Sequence, residues 1–439
     1  MDYYSDINLA SRDPEKMESL FKSIQDTDRV GTFQAALTVC YQQDPENLLL
    51  AAWYFRLKQP VADDFDGSKA AVNWKLAVPI SIVTGICFWL ITDESGPLFL
   101  DYLPFLILLW APIAAIFNLI FLAGTSNKHY RRTSFVGLVL LLISSLVFLL
   151  APGLIERNQE HYLTLSAIHL PILAWVAIGI TVLGLKSPFK HRFAFLIKSI
   201  EAIITAGLYL IFGVALGVIT FGMFAALNVD IPEPIMRLIA AGGFGLLPTL
   251  AVASIYDPRL HPGEQDFSQG LSKFIATMMR LLLPLTLIVL VIYTFVIPFN
   301  FMEPFKQRDV LIVYNLMLFA VMGLLMGATP ISSAELSQEV QKWLRNGIIA
   351  VAILATLISI YAMSATVYRT VGGGITINRL TIIGWNSINI GILIRLIYKQ
   401  FKGGFENWVD SLQQTFSFGT NYYVIWGLFT IIAIPLIFR

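Results

Sequence analysis

The residues of this chain that could do chemistry inside a membrane are few, and three of them lie within residues 366–398. Asn386 and Asn389 stand in an apolar segment where lipid-facing helices carry Leu or Val, and Arg379 ends the short polar loop just before that segment. The two asparagines are three residues apart and therefore share one face of a helix. Such amides either bond to a neighbouring helix, at about 0.6–2 kcal/mol each, or line a polar path. The sequence leaves both interpretations open.

Two charged residues in other apolar segments extend this set of candidates. Glu201 lies about two helical turns inside its segment, one turn after Lys198. An isolated carboxylate there is costly, so Glu201 either belongs to a proton- or ion-coupled site or pairs with Lys198, and the ion pair is favoured. Arg280 lies near one end of its segment, from which its side chain can reach the interface. The candidates for a substrate or ion path are Arg379, Asn386, Asn389, Glu201 and Arg280.

The motifs of soluble enzymes do not occur in the chain. It contains no nucleotide-binding P-loop, no HExxH, no GxSxG and no kinase signature. Gly372–Gly374 lack the Lys and the spacing of a phosphate-binding loop, and Glu156, Glu160 and His161 fit no metal-ligand spacing. The sequence therefore predicts no catalytic residue, no cofactor and no metal site. An enzyme acting on lipid-linked substrates is the least favoured function.

The composition identifies the class of protein. Of 439 residues, 56% are hydrophobic and 13% are charged, against about 25% charged residues in soluble domains. The mean hydropathy is +0.70, which indicates that most side chains face lipid or other helices. A net charge of +1 gives no basic surface for nucleic acid. Cys40 and Cys87 lie far apart and suggest no disulfide framework, and the first ten residues do not resemble a cleaved signal peptide.

Apolar runs separated by short polar loops predict an all-α polytopic membrane protein with a helical bundle over residues 73–439. Each run is long enough to cross a hydrocarbon core of about 30 Å, and only helices satisfy their own backbone there. The predicted spans are residues 74–92, 98–124, 134–151, 164–185, 195–227, 235–255, 273–298, 309–328, 343–367, 380–398 and 421–438.

The loop charges predict the orientation. Cations concentrate in loops that follow even-numbered spans, such as those with Arg131, Lys186 and Lys399. Because cytoplasmic loops are rich in Lys and Arg, the N-terminus is expected in the cytosol and the C-terminus on the outer side of the membrane. Two loops are exceptions, because Lys306 with Arg308, and Arg369 with Arg379, fall outside.

Local signals predict three further features of the bundle. Gly372–Gly374 predict a turn that makes residues 368–379 a short polar loop. Ser333 predicts the start of an amphipathic helix over residues 332–345 along the inner face. The pairs Gly213–Gly217 and Gly323–Gly327 have the spacing that lets helix backbones approach closely.

Residues 1–72 are predicted to form a small cytosolic helical domain with a polar linker. Asp13-Pro14-Glu15 and Asp44-Pro45-Glu46 both resemble helix starts. A second helix is expected over residues 30–41, and the third is expected to end near residues 59–60, before the linker at 63–68. Three helices are too few for a repeat array. Residues 1–65 are instead a candidate docking surface for a cytosolic or membrane protein partner.

Residues 368–379 read Tyr-Arg-x-x-Gly-Gly-Gly-Ile-Thr-Ile-Asn-Arg. This stretch resembles the Tyr-Gly-Leu-Thr-x-x-Arg element of a bacterial multi-pass membrane family that is defined by a domain of unknown function, the four-one-five-three family. In that family the element lies between two late spans, and a single Gly after an aromatic residue stands where this chain has Gly372–Gly374. The resemblance implies a bacterial inner membrane protein and supplies no mechanism.

Two functions of different classes follow from these features. The leading hypothesis is a transporter, or a transport-associated subunit, that moves a small solute or ion through a polar path between helices. The alternative is a membrane scaffold or assembly partner that docks a cytosolic protein through the N-terminal helical domain.

Overall fold

The protein is described here from a computed structural model, which covers residues 3–25, 30–58, 72–92, 99 and 101–439. This part of the chain contains helices and connecting turns but no β-strand, so the predicted all-α fold is confirmed. The chain divides by packing into two units, Met1–Ala71 and Val72–Arg439.

Four helices form the N-terminal unit: α1 (Tyr4–Ala10), α2 (Pro14–Gln25), α3 (Val30–Gln43) and α4 (Leu48–Lys58). They enclose a core of their own, in which Phe33, Leu37 and Cys40 of α3 are buried. These three positions are on the face that the helical spacing predicts. The unit contains one helix, α1, that the sequence patterns did not indicate, and the predicted linker at 63–68 lies outside the described residues.

The two Asp-Pro-Glu signals in this unit behave differently. The Asp13 carboxylate accepts from the backbone N–H groups of Glu15 and Lys16 at 3.1 and 3.2 Å, which begins α2 as predicted. The second prediction is wrong, because α4 begins at Leu48 rather than at Pro45. Asn47 provides the cap there, since its Oδ1 accepts from the N–H groups of Leu49 and Leu50.

The membrane unit is a bundle of long apolar helices. They are α5 (Trp74–Leu90), α6 (Phe105–Ser126), α7 (Tyr130–Leu150), α8 (Glu156–Leu183), α9 (Phe189–Ala226), α10 (Glu233–Ile255), α11 (Gly270–Val296), α12 (Arg308–Ala328), α13 (Gln338–Gly373), α14 (Ile377–Lys402) and α15 (Trp408–Ile437). Ten are long and apolar enough to cross a membrane. The other, α5, is apolar and has 17 residues. The chain is a multi-pass helical membrane protein.

Helix α13 lies at the centre of the largest core cluster. Ile348, Val351 and Ala355 on this helix are fully buried, and α13 packs against α11, α12 and α14. Successive helices alternate in direction, so their connections fall at two ends of the bundle. We name these ends by the connections that they carry: the α13–α14 end and the α12–α13 end.

Two predicted details around α13 are wrong. The separate amphipathic helix at 332–345 does not form, because α13 already begins at Gln338 and continues to Gly373. The expected polar loop at 368–379 is mostly helical, and only residues 374–376 form the turn. Gly374 stops α13 at φ +78°, and the Thr376 side chain accepts from Arg379 N–H to begin α14.

Helix α15 begins at Trp408, well before the predicted start at residue 421. Its first turns bury polar side chains that find partners in the protein. Gln413, for example, donates to the carbonyl oxygens of Pro330 and Ile331 at 2.9 and 2.8 Å. Hydropathy misses this part of the helix because these side chains are polar and yet satisfied.

Glycines allow a close helix crossing that the sequence did not predict, and one of the two predicted glycine pairs also contacts a neighbouring helix. A Cβ on Gly245 would lie 2.8 Å from Gly85 Cα, so α5 and α10 cross in backbone contact. The Gly213–Gly217 pair of α9 meets no other helix in the described part of the chain. Gly327 does serve the predicted role, because a Cβ there would lie 2.9 Å from the Met279 side chain of α11.

Candidate functional site

A cavity of about 410 Å³ opens at the α13–α14 end, between α8, α12, α13 and α14. This volume is within the usual range of small-ligand sites. Its polar lining includes three arginines, Arg157, Arg369 and Arg379, and the side chains of His161 and Asn378. Apolar residues complete the wall: Ile155, Leu311, Ile312, Ile375, Ile382 and Phe438.

The three cavity arginines have no carboxylate partner. Among the described residues no acidic side chain lines the cavity, and none of the three arginines forms an ion pair. Arg379 donates to the Gly374 carbonyl at 2.7 Å, and Arg369 donates to the Lys306 carbonyl at 3.3 Å. A guanidinium has five N–H donors, so most donors of these groups are left for water or a ligand.

The acidic side chains of α8 that are nearest to the cavity in sequence lie close to Tyr102 and do not line the cavity. Glu156 and Glu160 lie close to Tyr102, where burial, and then the Glu156 carboxylate, raises the pKa of the phenol. Since Arg157 lies one position after Glu156, α8 presents a cation to the cavity and its carboxylates elsewhere. The described side chains that line the cavity therefore carry a net positive charge.

Two pairs of polar side chains join α8 and α14 on the inner side of the arginines, toward the middle of the bundle. At the cavity, Asn378 Nδ2 lies 3.3 Å from His161 Nδ1. Two turns deeper, Trp385 Nε1–H donates to His169 Nε2 at 2.9 Å. His169 Nδ1 lies 2.7 Å from the Leu165 carbonyl, which fixes the proton on Nδ1 and leaves Nε2 as the acceptor.

A third polar contact lies deeper still, near the middle of α14. The Tyr423 hydroxyl donates to Asn389 Oδ1 at 2.5 Å. Asn389 is fully buried, and its Nδ2 has no hydrogen-bond partner among the described residues. The Trp385 ring separates this level from the cavity, with its centroid 5.2 Å from that of Tyr423 and 5.4 Å from that of Phe319.

These contacts form what we call the polar column. It begins at Arg379, continues through the side-chain pairs His161–Asn378 and His169–Trp385, and ends at the Asn389–Tyr423 pair. Asn386 lies about one turn before Asn389 on the same side of α14, 2% exposed, and its side chain makes no hydrogen bond to a described residue.

The other two predicted site residues lie apart from the polar column. Glu201 forms the ion pair with Lys198 that the spacing predicts, at 2.8 Å, and it accepts from Ser272 Oγ at 2.5 Å. Lys198 also donates to the Asp266 carbonyl at 2.9 Å. Arg280 reaches Glu335 and the Ala328 carbonyl, both at 3.4 Å, at the α12–α13 end.

Sequence reasoning identified Arg379 and Asn389 of α14 and missed the other members of the column. His161 and His169 come from α8, and nothing in the sequence places this distant helix beside α14. One signal was available: His161 and His169 are eight residues apart, which puts both on one face of α8. Among the described residues no group of His, Cys, Asp and Glu is arranged to hold a metal ion.

Comparison with known proteins adds no relative: no family model, no curated protein and no solved structure matches the chain. The resemblance of residues 368–379 to the four-one-five-three family therefore remains a prediction.

Proposed function

We propose that the chain is a membrane transporter, or the substrate-binding subunit of one, that takes up an anion at the cavity and passes it along the polar column. The observation that carries this proposal is the set of three arginines without carboxylate partners, at the mouth of a row of polar side chains in an apolar bundle. Polar and ionisable groups inside membranes are costly and usually functional.

We place the cavity on the outer face of a bacterial inner membrane, with the N-terminus in the cytosol and the C-terminus outside. The α12–α13 end carries most loop cations, including Arg131, Lys186 and Lys402, as expected for a cytoplasmic face. Arg369 and Arg379 are exceptions to this charge rule. Binding of an anionic ligand would explain why these two arginines lie on the outer face.

The column gives each group a role in the proposed path. The arginines attract the anion and replace part of its water, since guanidinium groups bind oxyanions through paired N–H bonds. The Trp385 ring closes the way to Asn389 in this conformation. Passage therefore requires that Trp385 moves and that its bond to His169 breaks, which makes this pair the proposed gate.

Uptake into proteoliposomes tests the proposal, with radiolabelled inorganic phosphate and a short-chain phosphatidate as probes. We expect uptake of at least one probe above that of empty vesicles. Asn389→Leu should reduce it about tenfold or more, because a buried polar contact in the path is lost. Asn386→Leu tests the same side of α14 about one turn earlier in the same way.

Ser387→Leu is the matched control, because Ser387 lies on the same helix and is exposed away from the column. It should keep wild-type uptake. If protein vesicles take up neither probe faster than empty vesicles, the transport proposal is rejected. If Asn389→Leu and Ser387→Leu both transport at the wild-type rate, the path along α14 is rejected.

One observation favours the scaffold function as a second candidate. Leu9, Leu48 and Phe55 of the N-terminal unit are 82%, 86% and 56% exposed, although the unit has a complete core. Exposed apolar side chains of this size are typical of docking surfaces when they cluster. Deleting residues 1–65 separates the functions: a scaffold loses its partners in pulldown, whereas a transporter keeps its uptake.

A further inference from the structure

We infer that the ligand of the cavity is an amphiphile whose head is a phosphate monoester and whose tail lies in the membrane. This inference names the substrate class of the proposed transport site and rests on that function for the transport step only. Binding of the amphiphile is a separate property of the cavity.

The charge of the cavity selects the head group. Three guanidinium groups line this cavity, and among the described residues no carboxylate lines it. A single carboxylate would leave at least two of these charges uncompensated. A phosphate monoester carries close to two negative charges and three acceptor oxygens at neutral pH, so it can engage all three arginines. The Asn378 amide and the Thr376 hydroxyl line the same space as further donors.

The rim of the cavity selects the tail. Ile155, Ile312 and Ile375 line the cavity and yet are 63%, 50% and 65% exposed, so they present apolar surface outward around the arginines. They lie at helix ends, which is the depth at which a bilayer changes from hydrocarbon to head groups. A soluble anion gains nothing from such a rim. A lipid gains a wall for its chain while its phosphate reaches the arginines.

Two cavity features are therefore matched to two parts of one molecule. The arginines and polar side chains are arranged for the phosphate, and the apolar rim allows it to enter sideways from the outer leaflet. Entry from the membrane avoids the transfer of an apolar chain through water, whose cost rises with every CH₂ group.

Binding of a tail-fluorescent phosphatidic acid to the purified full-length protein in detergent micelles tests the head group. Phosphatidylcholine with the same labelled tail is the control lipid. We expect the wild type to prefer phosphatidic acid and the double variant Arg369→Gln/Arg379→Gln to bind it at least about a hundredfold more weakly, since each arginine contributes charge-assisted bonds. Lys306→Gln removes a cation at the same end that does not line the cavity, and it should bind like the wild type.

A second pair of variants tests the tail. Ile312→Asn should weaken binding of phosphatidic acid several-fold, because it places an amide against the chain. Val313→Asn changes the next residue of α12, which is 64% exposed and outside the cavity lining. It should have no effect. Displacement by inorganic phosphate measures the contribution of the head group alone, and we expect it to compete only weakly.

Three results would overturn the inference. They are equal binding of phosphatidic acid and phosphatidylcholine, equal binding by the arginine double variant and Lys306→Gln, and displacement by inorganic phosphate at concentrations as low as those of the lipid. The last result would identify free phosphate as the ligand. Failure of the transport function is a different outcome: the lipid binds as expected, but protein vesicles show no uptake of either probe.

Discussion

The Lys198–Glu201 pair and the cavity arginines both place charge in an apolar bundle, and they do so in opposite ways. Glu201 and Lys198 are 5% and 6% exposed, and each has a charged partner and a hydrogen bond from or to Ser272. The arginines at the α13–α14 end face an open cavity that no carboxylate lines among the described residues.

This difference separates a structural charge from a ligand-binding one. A buried ion pair costs desolvation, and its partners must stay together because neither tolerates burial alone. The arginines keep most of their N–H donors available. The bundle can therefore hold these charged groups only while water or an anion occupies the cavity and accepts from them. Among charged residues at membrane depth, those without internal partners are therefore the better candidates for binding.

The largest expected effect is on the paired site. Glu201→Leu should lower the free energy of unfolding by about 3–5 kcal/mol, because it leaves Lys198 buried without a counter-charge. Denaturant unfolding in detergent micelles, followed by tryptophan fluorescence, measures this change. The double variant Lys198→Met/Glu201→Leu should recover most of the loss, since it removes both charges.

Glu406→Leu is the control for this measurement, because Glu406 is exposed in the α14–α15 connection. We expect it to change stability by less than about 0.5 kcal/mol. A Glu201→Leu protein as stable as Glu406→Leu would show that the pair is not structural, and the contrast between the two regions would be lost.

A smaller effect on stability is expected at the cavity. Arg379→Gln removes one bond to the Gly374 carbonyl and should cost no more than about 1 kcal/mol in the same unfolding assay. Combining it with Arg369→Gln should add no more than a similar amount, because the two side chains bond to different carbonyl groups and their contributions add. If either single variant is as unstable as Glu201→Leu, the arginines hold the helices together and the charge of the cavity is structural.

The sequence predicts the membrane fold well because lipid imposes simple rules on it. Long apolar runs must be helices, and the predicted spans correspond to the helices of the membrane unit. The rules fail where polar side chains are satisfied by protein, as in the first turns of α15, where Gln413 bonds to Pro330 and Ile331. They also fail at the end of α13, where residues 368–373 stay helical until Gly374 permits the turn.

The candidate site is only partly visible in the sequence, for a related reason. Asn389 stands out because it is polar inside an apolar segment, and Arg379 because it is a cation in a loop that the charge rule places outside. His161, His169 and Tyr423 also lie in apolar helices, but their importance depends on which helices are neighbours of α14. Neighbour relations depend on packing between distant segments, which local periodicity does not encode. The charge rule nevertheless marked Arg369 and Arg379 as exceptions, and the structure places both at the cavity.

The smallest expected effect concerns a third arrangement of charge, at the α12–α13 end. His129 lies in the α6–α7 connection, where burial, and then the nearby cations Arg132, Lys128 and His261, lowers its pKa below the usual 6.5. Here like charges are crowded, with neither the tight pairing of Glu201 nor the open cavity of the arginines. The folded protein therefore binds a proton at His129 less readily than the unfolded chain does. Stability should be fully present above the unfolded pKa and should fall as the pH drops from about 6.5 toward the lower folded pKa.

Unfolding of the wild type and His129→Gln between about pH 7.5 and 5 measures this contribution as the difference in slope. We expect the slope of His129→Gln to be shallower than that of the wild type, by a small amount because the His129 side chain is exposed. His129→Arg fixes the positive charge, so it should be less stable than His129→Gln at neutral pH and should also lack the His129 contribution to the slope. Identical slopes in the three proteins would mean that charge crowding at this end does not affect folding. The contrast between paired and unpaired charge would then apply to the interior of the bundle alone.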